Sequence, residues 1–561
     1  MTKSSEKARQ FLSLGALVAL VILPQECEGL AGEDPEVEIH REALTVTSAT
    51  FGAWVDYQDV YGPEEFHGDT FQTAWSDDGN LYMAADDSWI PTWNYNYGKG
   101  ANVRLVGIGN HSVTSWTTPP TMTFTDVNTT LKNYGRAGQV PPNYITTNPG
   151  FEAGTLNHWT ANGGAVVSTT SKHTGTYSAK VTTTSDGVSR AFTNLTPGTI
   201  YEISAWMRTG NSSDTIAIGA ENYAGVNSKI WTTTNSTTFT HVVTRFKTTG
   251  TTATIWCWKW SGSSASYCDD VLLEERRAWK TGGVTSVGGN LYLTLGRHDQ
   301  QMMLSHVPPY QQDSRDGHII MSTDKGVSWR PAPPQPGTKP YPVPMFPGPR
   351  FGYANFVQYG QNAAAPDGYV YAVSPTAWDN GNGLFIGRVM TANLPNLNGS
   401  QWEFWQGGST WTAGAGGLNS AASILTVAGK LGGVSVQYVS QISKYLLLAW
   451  SYPNLNRATC QNGDPNVPDI TENCIKTTRW HFYQSSTLTG TWSKIDIGND
   501  GPDAKEKQWD PEGFYQPAIV NKYIESSVQN NQLRMWLFTA GNFTRAEYYK
   551  LIAIPMTLNV Q

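Results

Sequence analysis

The chain has 561 residues, of which 15% are charged and 12% aromatic (22 Trp, 26 Tyr), with 55 Gly, 31 Pro, a formal net charge of −7 and a pI near 5.8. That length exceeds one ordinary domain and accommodates two. The acidic balance argues against nucleic acid, which calls for clustered Lys and Arg, whereas abundant Trp and Tyr with little charge suit sugars, whose C–H faces stack on rings while their hydroxyls need directed polar groups.

Lys3, Lys7 and Arg9 precede the apolar run from Phe11 to Leu23, which ends at Pro24 and a polar stretch reaching Gly29. A basic n-region followed by an h-region of that length predicts a secretory signal over 1–29. A short N-terminal anchor is the alternative, since no clean small-x-small cleavage site follows. No other stretch approaches the ~20 apolar residues that cross a bilayer, so the mature protein is expected outside the cell, with no membrane contact. Beyond Cys27, the cysteines Cys257, Cys268, Cys460 and Cys474 allow three pairings. The close pairs 257–268 and 460–474 are favoured, and none has zinc spacing. Asn-x-Ser/Thr sequons at Asn110, Asn128, Asn194, Asn211, Asn235, Asn398 and Asn542 permit glycosylation on a secretory route.

Residues 40–147 and 276–561 share one grammar: a Gly or Asp turn, an apolar alternating strand, then a polar or aromatic turn. It recurs at Asp78-Gly-Asn-Leu-Tyr-Met-Ala, Gly288-Gly-Asn-Leu-Tyr-Leu-Thr, Asp367-Gly-Tyr-Val-Tyr-Ala-Val, Gln441 to Trp450 and Asn531 to Thr539. Each is expected to be one inner strand of a four-stranded blade, so the five predict an all-β, five-bladed β-propeller. A two-sheet sandwich is the alternative, because alternation alone does not separate all-β folds. Ser322-Thr-Asp324-Lys-Gly-Val-Ser-Trp329 resembles the Asp-box turn of sialidase-like propellers, a structural hairpin.

Residues 148–275 interrupt this pattern. They open Asn148-Pro149-Gly150-Phe151-Glu152, reach Trp159, run through Ser178-Ala-Lys180-Val181 and Tyr201-Glu-Ile-Ser-Ala-Trp206, and close on Cys268-Asp269-Asp270-Val271-Leu272-Leu273. In that order these phrases resemble the family 4/9/22-type carbohydrate-binding modules, which are β-sandwich jelly rolls. The resemblance implies an inserted, independently folding glycan-binding module, with Trp206, Trp231, Trp256, Trp258 and Trp260 as stacking candidates. Strand alternation puts the last three on one face.

The surrounding chain carries Phe66-His67-Gly68-Asp69-Thr70-Phe71, Leu295-Gly296-Arg297-His298, the hairpin ending in Trp329, Asp367 to Tyr371 followed by Gly387-Arg388-Val389, Ser435-Val-Gln-Tyr438 and Gly513-Phe-Tyr-Gln-Pro517. These resemble the DUF4185 family of secreted propeller proteins, which includes endo-D-arabinanases. The resemblance implies glycosidase chemistry on an arabinan-like polysaccharide. The inserted module departs from the plain family pattern and leaves the polymer open.

Glycoside hydrolysis needs one carboxylic acid to protonate the leaving oxygen and one carboxylate to attack or to activate water. Asp69, after His67-Gly68, ranks first, although Gly-Asp-Thr also suits a turn cap. Glu512, between Pro511 and Gly513 among aromatics, is the candidate acid expected to face Asp69, with Asp510 its rival; a solvated loop glutamate is the bland reading. Asp379 is a third carboxylate, though Asp379-Asn380-Gly381 also reads as a plain turn. Asp86 and Asp87, at a strand end, suit a cation or a sugar hydroxyl, with a structural role the stronger reading. His67, Arg297, His298, Tyr353, Asn355, Trp378, Gln437, Tyr438 and Tyr515 are the subsite candidates, against core packing as the commoner fate of any single aromatic. The same inventory admits a polysaccharide lyase, with His67, His298, Arg297 and Tyr353 acting on a uronate, or a non-catalytic glycan-binding platform. No cofactor or metal cluster announces itself, although a structural cation in a central channel is compatible with the fold. The protein is expected to act as a monomer.

Overall fold

The computed structural model describes residues 43–57, 66–89, 103–127, 144–275, 278–300, 312–331, 344–456, 470–500, 504–545 and 547–561. The leader over 1–29 and Cys460 lie outside them. Secondary structure is overwhelmingly strand, in several sheets, and the described helices are short turns such as Gly414–Ser420 and Ile470–Ile475.

Outside 144–275, the chain forms a succession of antiparallel meanders, each led by a first strand: β1 (His67–Trp75), β2 (Ala278–Val287), β3 (Asn355–Gln358), β4 (Ser435–Val439) and β5 (Tyr515–Ile524). Strand β1 leads Leu81–Trp89, Arg104–Gly109 and Thr125–Asp126; β2 leads Asn290–Gln300 and Gln312–Ser322. Strands β3 and β4 pair in parallel, Val357 with Val436 and Gln358 with Gln437, which joins their two meanders edge to edge. The sheet of β5 takes Gln532–Ala540 and Ile552–Val560, then is completed by Val46–Phe51 from the other end of the chain. The first strands adjoin in sequence: β1 lies beside β2, β2 beside β3, β3 beside β4 and β4 beside β5, while β5 returns to β1.

The five repeated phrases do form inner strands, though not the first of each sheet. They form Leu81–Trp89, Asn290–Gln300, Tyr369–Pro375, Lys444–Ser451 and Gln532–Ala540, each the second strand of its sheet. Second strands are packed on both faces by other sheets, as the fully buried Leu446, Leu447 and Leu448 illustrate, so they read as continuous apolar text. First strands carry polar residues on one face and therefore hide in the sequence. Asp86 and Asp87 lie inside a strand rather than at its end, and Arg297 and His298 lie within Asn290–Gln300. The Asp-box hairpin forms as expected, with the Asp324 carboxylate accepting from Ser322 Oγ (2.7 Å) and from the Ser328 N–H (2.8 Å).

Residues 160–275 build two five-stranded sheets that pair only internally. One runs Lys229–Thr234, Thr215–Glu221, Ala253–Ser261, Gly187–Phe192, Thr160–Asn162; the other runs Thr240–Lys247, Ile200–Thr209, Ser266–Glu275, Ser178–Val181, Val166–Ser168. Between them lies a separate apolar core that includes Phe151, Val188, Ile203, Ile218, Phe246, Ile255 and Leu273. The Cys257–Cys268 disulfide ties one sheet to the other. Cys474 is also disulfide-bonded. The Tyr144 N–H donates to Leu273 O at 2.7 Å, so the chain enters and leaves this pair of sheets at neighbouring points.

Candidate active site

At the start of β1 the backbone departs from regular strand geometry. Pairing with Leu81–Trp89 is irregular on both sides of Asp69, and Thr70 takes φ 58° while Asp87 opposite takes φ 48°. Such left-handed non-glycine residues store about 1–3 kcal/mol each and persist only where surrounding packing imposes them. Here the bulges re-aim carboxylates that a regular pleat would alternate between faces. Gly68 makes the approach feasible: a Cβ there would stand 2.6 Å from Asp86 O and 2.8 Å from Ser88 Cα.

Three carboxylates converge on one ammonium. Lys280 Nζ, from β2, lies 3.0 Å from Asp87 Oδ2, 3.2 Å from Asp86 Oδ2 and 3.6 Å from Asp69 Oδ2. Strand β5 supplies the Tyr515 hydroxyl, which donates to Asp69 Oδ2 at 2.9 Å. Tyr549 OH lies 3.3 Å from Asp69 Oδ2 and 3.2 Å from Asp87 Oδ2, bridging the two acids. Lys280, Asp69 and Asp86 are buried, but the Asp87 side chain keeps 23% of its surface exposed, so the cluster opens toward solvent at Asp87.

Three carboxylates and one ammonium do not balance, and burial makes that imbalance costly. Burial, opposed by the Lys280 charge and reinforced by that of Asp87, pushes Asp69 up to about 6. Burial likewise drives Asp86 well above the ordinary carboxylate range. For Lys280 burial works toward neutrality, but the charges of Asp69, Asp86 and Asp87 overcome it and hold the amine protonated. The phenols of Tyr353, Tyr515 and Tyr549, desolvated beside these acids, are pushed well up and stay hydrogen-bond donors.

Several sequence candidates surround this cluster. Trp378 stacks edge-on with Tyr515 (5.7 Å between centroids), and its ring lies 6.0 Å from Lys280 Nζ. His298 meets Trp378 at 5.6 Å and its Nδ1 is 3.0 Å from Ser314 Oγ. Tyr353 OH donates to Gln516 Oε1 at 3.0 Å. His67 Nδ1 is 3.1 Å from Tyr549 O, which links it to the cluster through the backbone. Others are braced elsewhere. Arg297 pairs with Asp316 at 3.2 Å, Asn355 Nδ2 donates to Val434 O at 2.6 Å, and buried Asp379 sits beside Asn380, whose side chain clasps Tyr452 through two bonds. Gln437 bonds to backbone carbonyls, and Tyr438 packs with Tyr359 and Tyr445. Glu512 is half-buried three residues before Tyr515 and Asp510 is exposed; among the described residues neither carboxylate forms an ion pair or side-chain hydrogen bond. Lys280, Tyr549 and Gln516 were not among the sequence candidates, and Asp86 and Asp87 were read there as structural first. The available signal was chemical: a lysine in Ala278-Trp-Lys280-Thr-Gly-Gly and adjacent acids inside an apolar strand, both awkward to bury unless they meet.

In the paired sheets, Trp256, Trp258 and Trp260 do share a face. Trp256 stacks on Trp258 (4.4 Å, 20°), and Trp260 stacks on Trp231 (5.0 Å, 30°). Trp256 is buried while Trp260 and Trp231 are 42% and 40% exposed, so the row runs from core to surface. Trp206 belongs to the facing sheet and is capped by His173 at 3.8 Å, which separates it from this row.

Residues 143–257 match the family described as a carbohydrate binding domain, and residues 281–466 match a domain of unknown function, DUF4185. A keratan-sulfate endo-1,4-beta-galactosidase from Sphingobacterium multivorum is 32% identical over 149 residues, 26% of this chain; the chain spans about a third (33%) of that relative's length. Similar solved structures include the CBM22-1 xylan-binding domain of Paenibacillus barcinonensis Xyn10C (18% identity, 22% of this chain and 90% of that one, TM-score 0.20). Another is TmCBM61 in complex with beta-1,4-galactotriose (20% identity, 24% and 99%, TM-score 0.20). A carbohydrate-binding domain and a glycosidase relative together support a carbohydrate-active protein.

Proposed function

We propose that the protein is a secreted glycoside hydrolase in which a five-bladed propeller (40–147 and 276–561) carries the catalytic site and an inserted β-sandwich (148–275) grips the polysaccharide. The cyclic adjacency of β1 to β5, with the two chain ends sharing one sheet, supports the propeller reading. The observation that carries the catalytic reading is the trio of buried Asp69 and Asp86 with partly exposed Asp87 on Lys280, bridged by Tyr549.

Asp69, with its proton held to about pH 6, serves as the acid that protonates the leaving oxygen. Asp87, open to solvent, is the carboxylate that attacks the anomeric carbon or activates water. Lys280 and the two phenols hold both acids in place and limit charge repulsion as the proton leaves Asp69. This reassigns the acid from Glu512, which remains a rim candidate beside Tyr515. The substrate favoured by the DUF4185 resemblance is an arabinan. The endo-1,4-beta-galactosidase relative favours a second reading, a β-1,4-linked galactan.

The test is incubation of the purified protein with arabinans, β-1,4-galactan, keratan sulfate and uronate-containing gums. New reducing ends without unsaturated-product absorbance, lost in Asp69→Asn and Asp87→Asn, are expected. Unsaturated products would select a lyase, and binding without cleavage a lectin-like platform.

A further inference from the structure

Tyr549 differs from Lys280 and Tyr515 in what its chemistry allows. The Lys280 ammonium carries three protons and can face Asp69, Asp86 and Asp87 together. The Tyr515 hydroxyl, 2.9 Å from Asp69 Oδ2, serves that acid. Tyr549 OH lies at nearly equal distances from two acids, 3.3 Å from Asp69 Oδ2 and 3.2 Å from Asp87 Oδ2, and it has one proton to give. It cannot donate to both at once.

The backbone fixes where that hydroxyl sits. Tyr549 O accepts from the Gly68 N–H at 3.4 Å, the Leu551 N–H donates to Phe66 O at 2.7 Å, and Lys550 forms a bridge with His67. The segment carrying the phenol is thus stitched to the start of β1, which carries Asp69. The groups facing the hydroxyl are Asp69, Asp86 and Asp87 from the first meander, Lys280 from β2 and Tyr515 from β5. Burial beside these acids pushes the phenol well up, so it stays a neutral hydroxyl, a donor that also accepts. Between one protonated and one ionised carboxyl such a group completes a chain. The Asp69 carboxyl donates to the phenol oxygen, and the phenol donates to the Asp87 carboxylate. Moving both protons one step along leaves Asp69 ionised, Tyr549 unchanged and Asp87 protonated. The net charge beside Lys280 is the same before and after, so the step buries no new charge.

We propose that Tyr549 is a positioning residue whose hydroxyl is shared between Asp69 and Asp87 and relays a proton from one acid to the other. When Asp87 takes the proton of an attacking water and Asp69 surrenders its own, the pair ends a turnover in the reversed state. The phenol then returns the proton inside the site. That use in turnover rests on the glycosidase reading; the sharing itself rests on the two distances alone.

The test uses the full-length protein and begins without a substrate. Infrared titration, subtracting from each protein its matching Asp69→Asn variant, isolates the Asp69 carboxyl band. Tyr549→Phe keeps the ring and removes the hydroxyl. It is expected to raise the midpoint of that band, because the Asp69 carboxylate loses a donor. The shift should be larger in an Asp87→Asn background, where the phenol serves Asp69 undivided. Tyr515→Phe is the control, with the same shift in both backgrounds. Equal shifts for Tyr549→Phe in both backgrounds overturn the proposal. On a glycan that the wild type cleaves, Tyr549→Phe is expected to lower kcat about tenfold or more with KM nearly unchanged. An unchanged kcat overturns the relay. Unequal shifts in a protein that cleaves no glycan support the sharing and sink the glycosidase reading alone.

Discussion

The Tyr515 hydroxyl donates to Asp69 Oδ2 at 2.9 Å across 446 residues of sequence. The contact exists because β5 returns to lie beside β1, so the far end of the chain polarises an acid near its start. Asp69 is thus desolvated by packing and contacted by two phenols, the arrangement of an acid that keeps its proton up to about pH 6.

Asp69→Asn keeps the shape and the Tyr515 and Tyr549 neighbours but removes the transferable proton. Turnover on the polysaccharide that the wild type cleaves is expected to fall by about 10²–10⁴-fold, with Tm nearly unchanged. Initial rates and a thermal melt check both halves. A variant with undiminished turnover would remove Asp69 from the mechanism.

Lys280→Met should act in the opposite way on stability. It leaves buried Asp69 and Asp86, with Asp87 beside them, without their shared counter-ion, a loss of about 3–5 kcal/mol. Denaturant titration at pH 7 is the measurement. Lowering the pH should restore part of the loss, because the orphaned acids then become neutral.

The raised value of Asp69 fixes a pH dependence. Its ordinary value is 3.8 and its folded value about 6, so the folded state binds the extra proton between them. The stability this contributes is fully present below 3.8 and is lost as pH rises through about 6. Asp269, which burial also pushes up to about 6, adds a second contribution of the same sign from the carbohydrate-binding segment. kcat/KM should decline as pH rises through about 6, and only Asp69→Asn, not Asp269→Asn, should remove that decline in what activity remains.

Trp231→Ala and Trp260→Ala are expected to weaken glycan binding by about tenfold or more while leaving Tm nearly unchanged, since both rings are substantially exposed. Trp206→Ala should leave affinity intact, its ring being covered by His173 in the facing sheet. Isothermal titration of each variant with the glycan that binds the wild type separates the two sheets' roles.

Residues 147–276 expressed alone should unfold cooperatively, and the chain without them should still fold, because the Tyr144–Leu273 bond puts the two crossing points together. Replacing Cys257 and Cys268 by Ser should cost that fragment about 3 kcal/mol, from the loss of a closed loop with a sequence separation of 11. A scan of the fragment in oxidised and reduced buffer reports both.

The sequence by itself determined the strand-rich composition, the turn grammar and the Cys257–Cys268 pair. Each is a local property: alternation, Gly and Asp turns, or a short cysteine spacing survive reading one residue at a time. The repeated phrases it singled out are second strands, because burial on both faces makes these louder than the polar first strands. It placed Trp256, Trp258 and Trp260 on one face, as they are, but alternation alone does not distinguish a core face from a surface row. Only the tertiary structure decided that Asp69, Asp86 and Asp87 share Lys280, and that Tyr515 and Tyr549 complete the group. Those residues meet through the adjacency of β1, β2 and β5, and a buried charge cluster is set by which strands lie side by side, a relation that spacing along the chain does not encode.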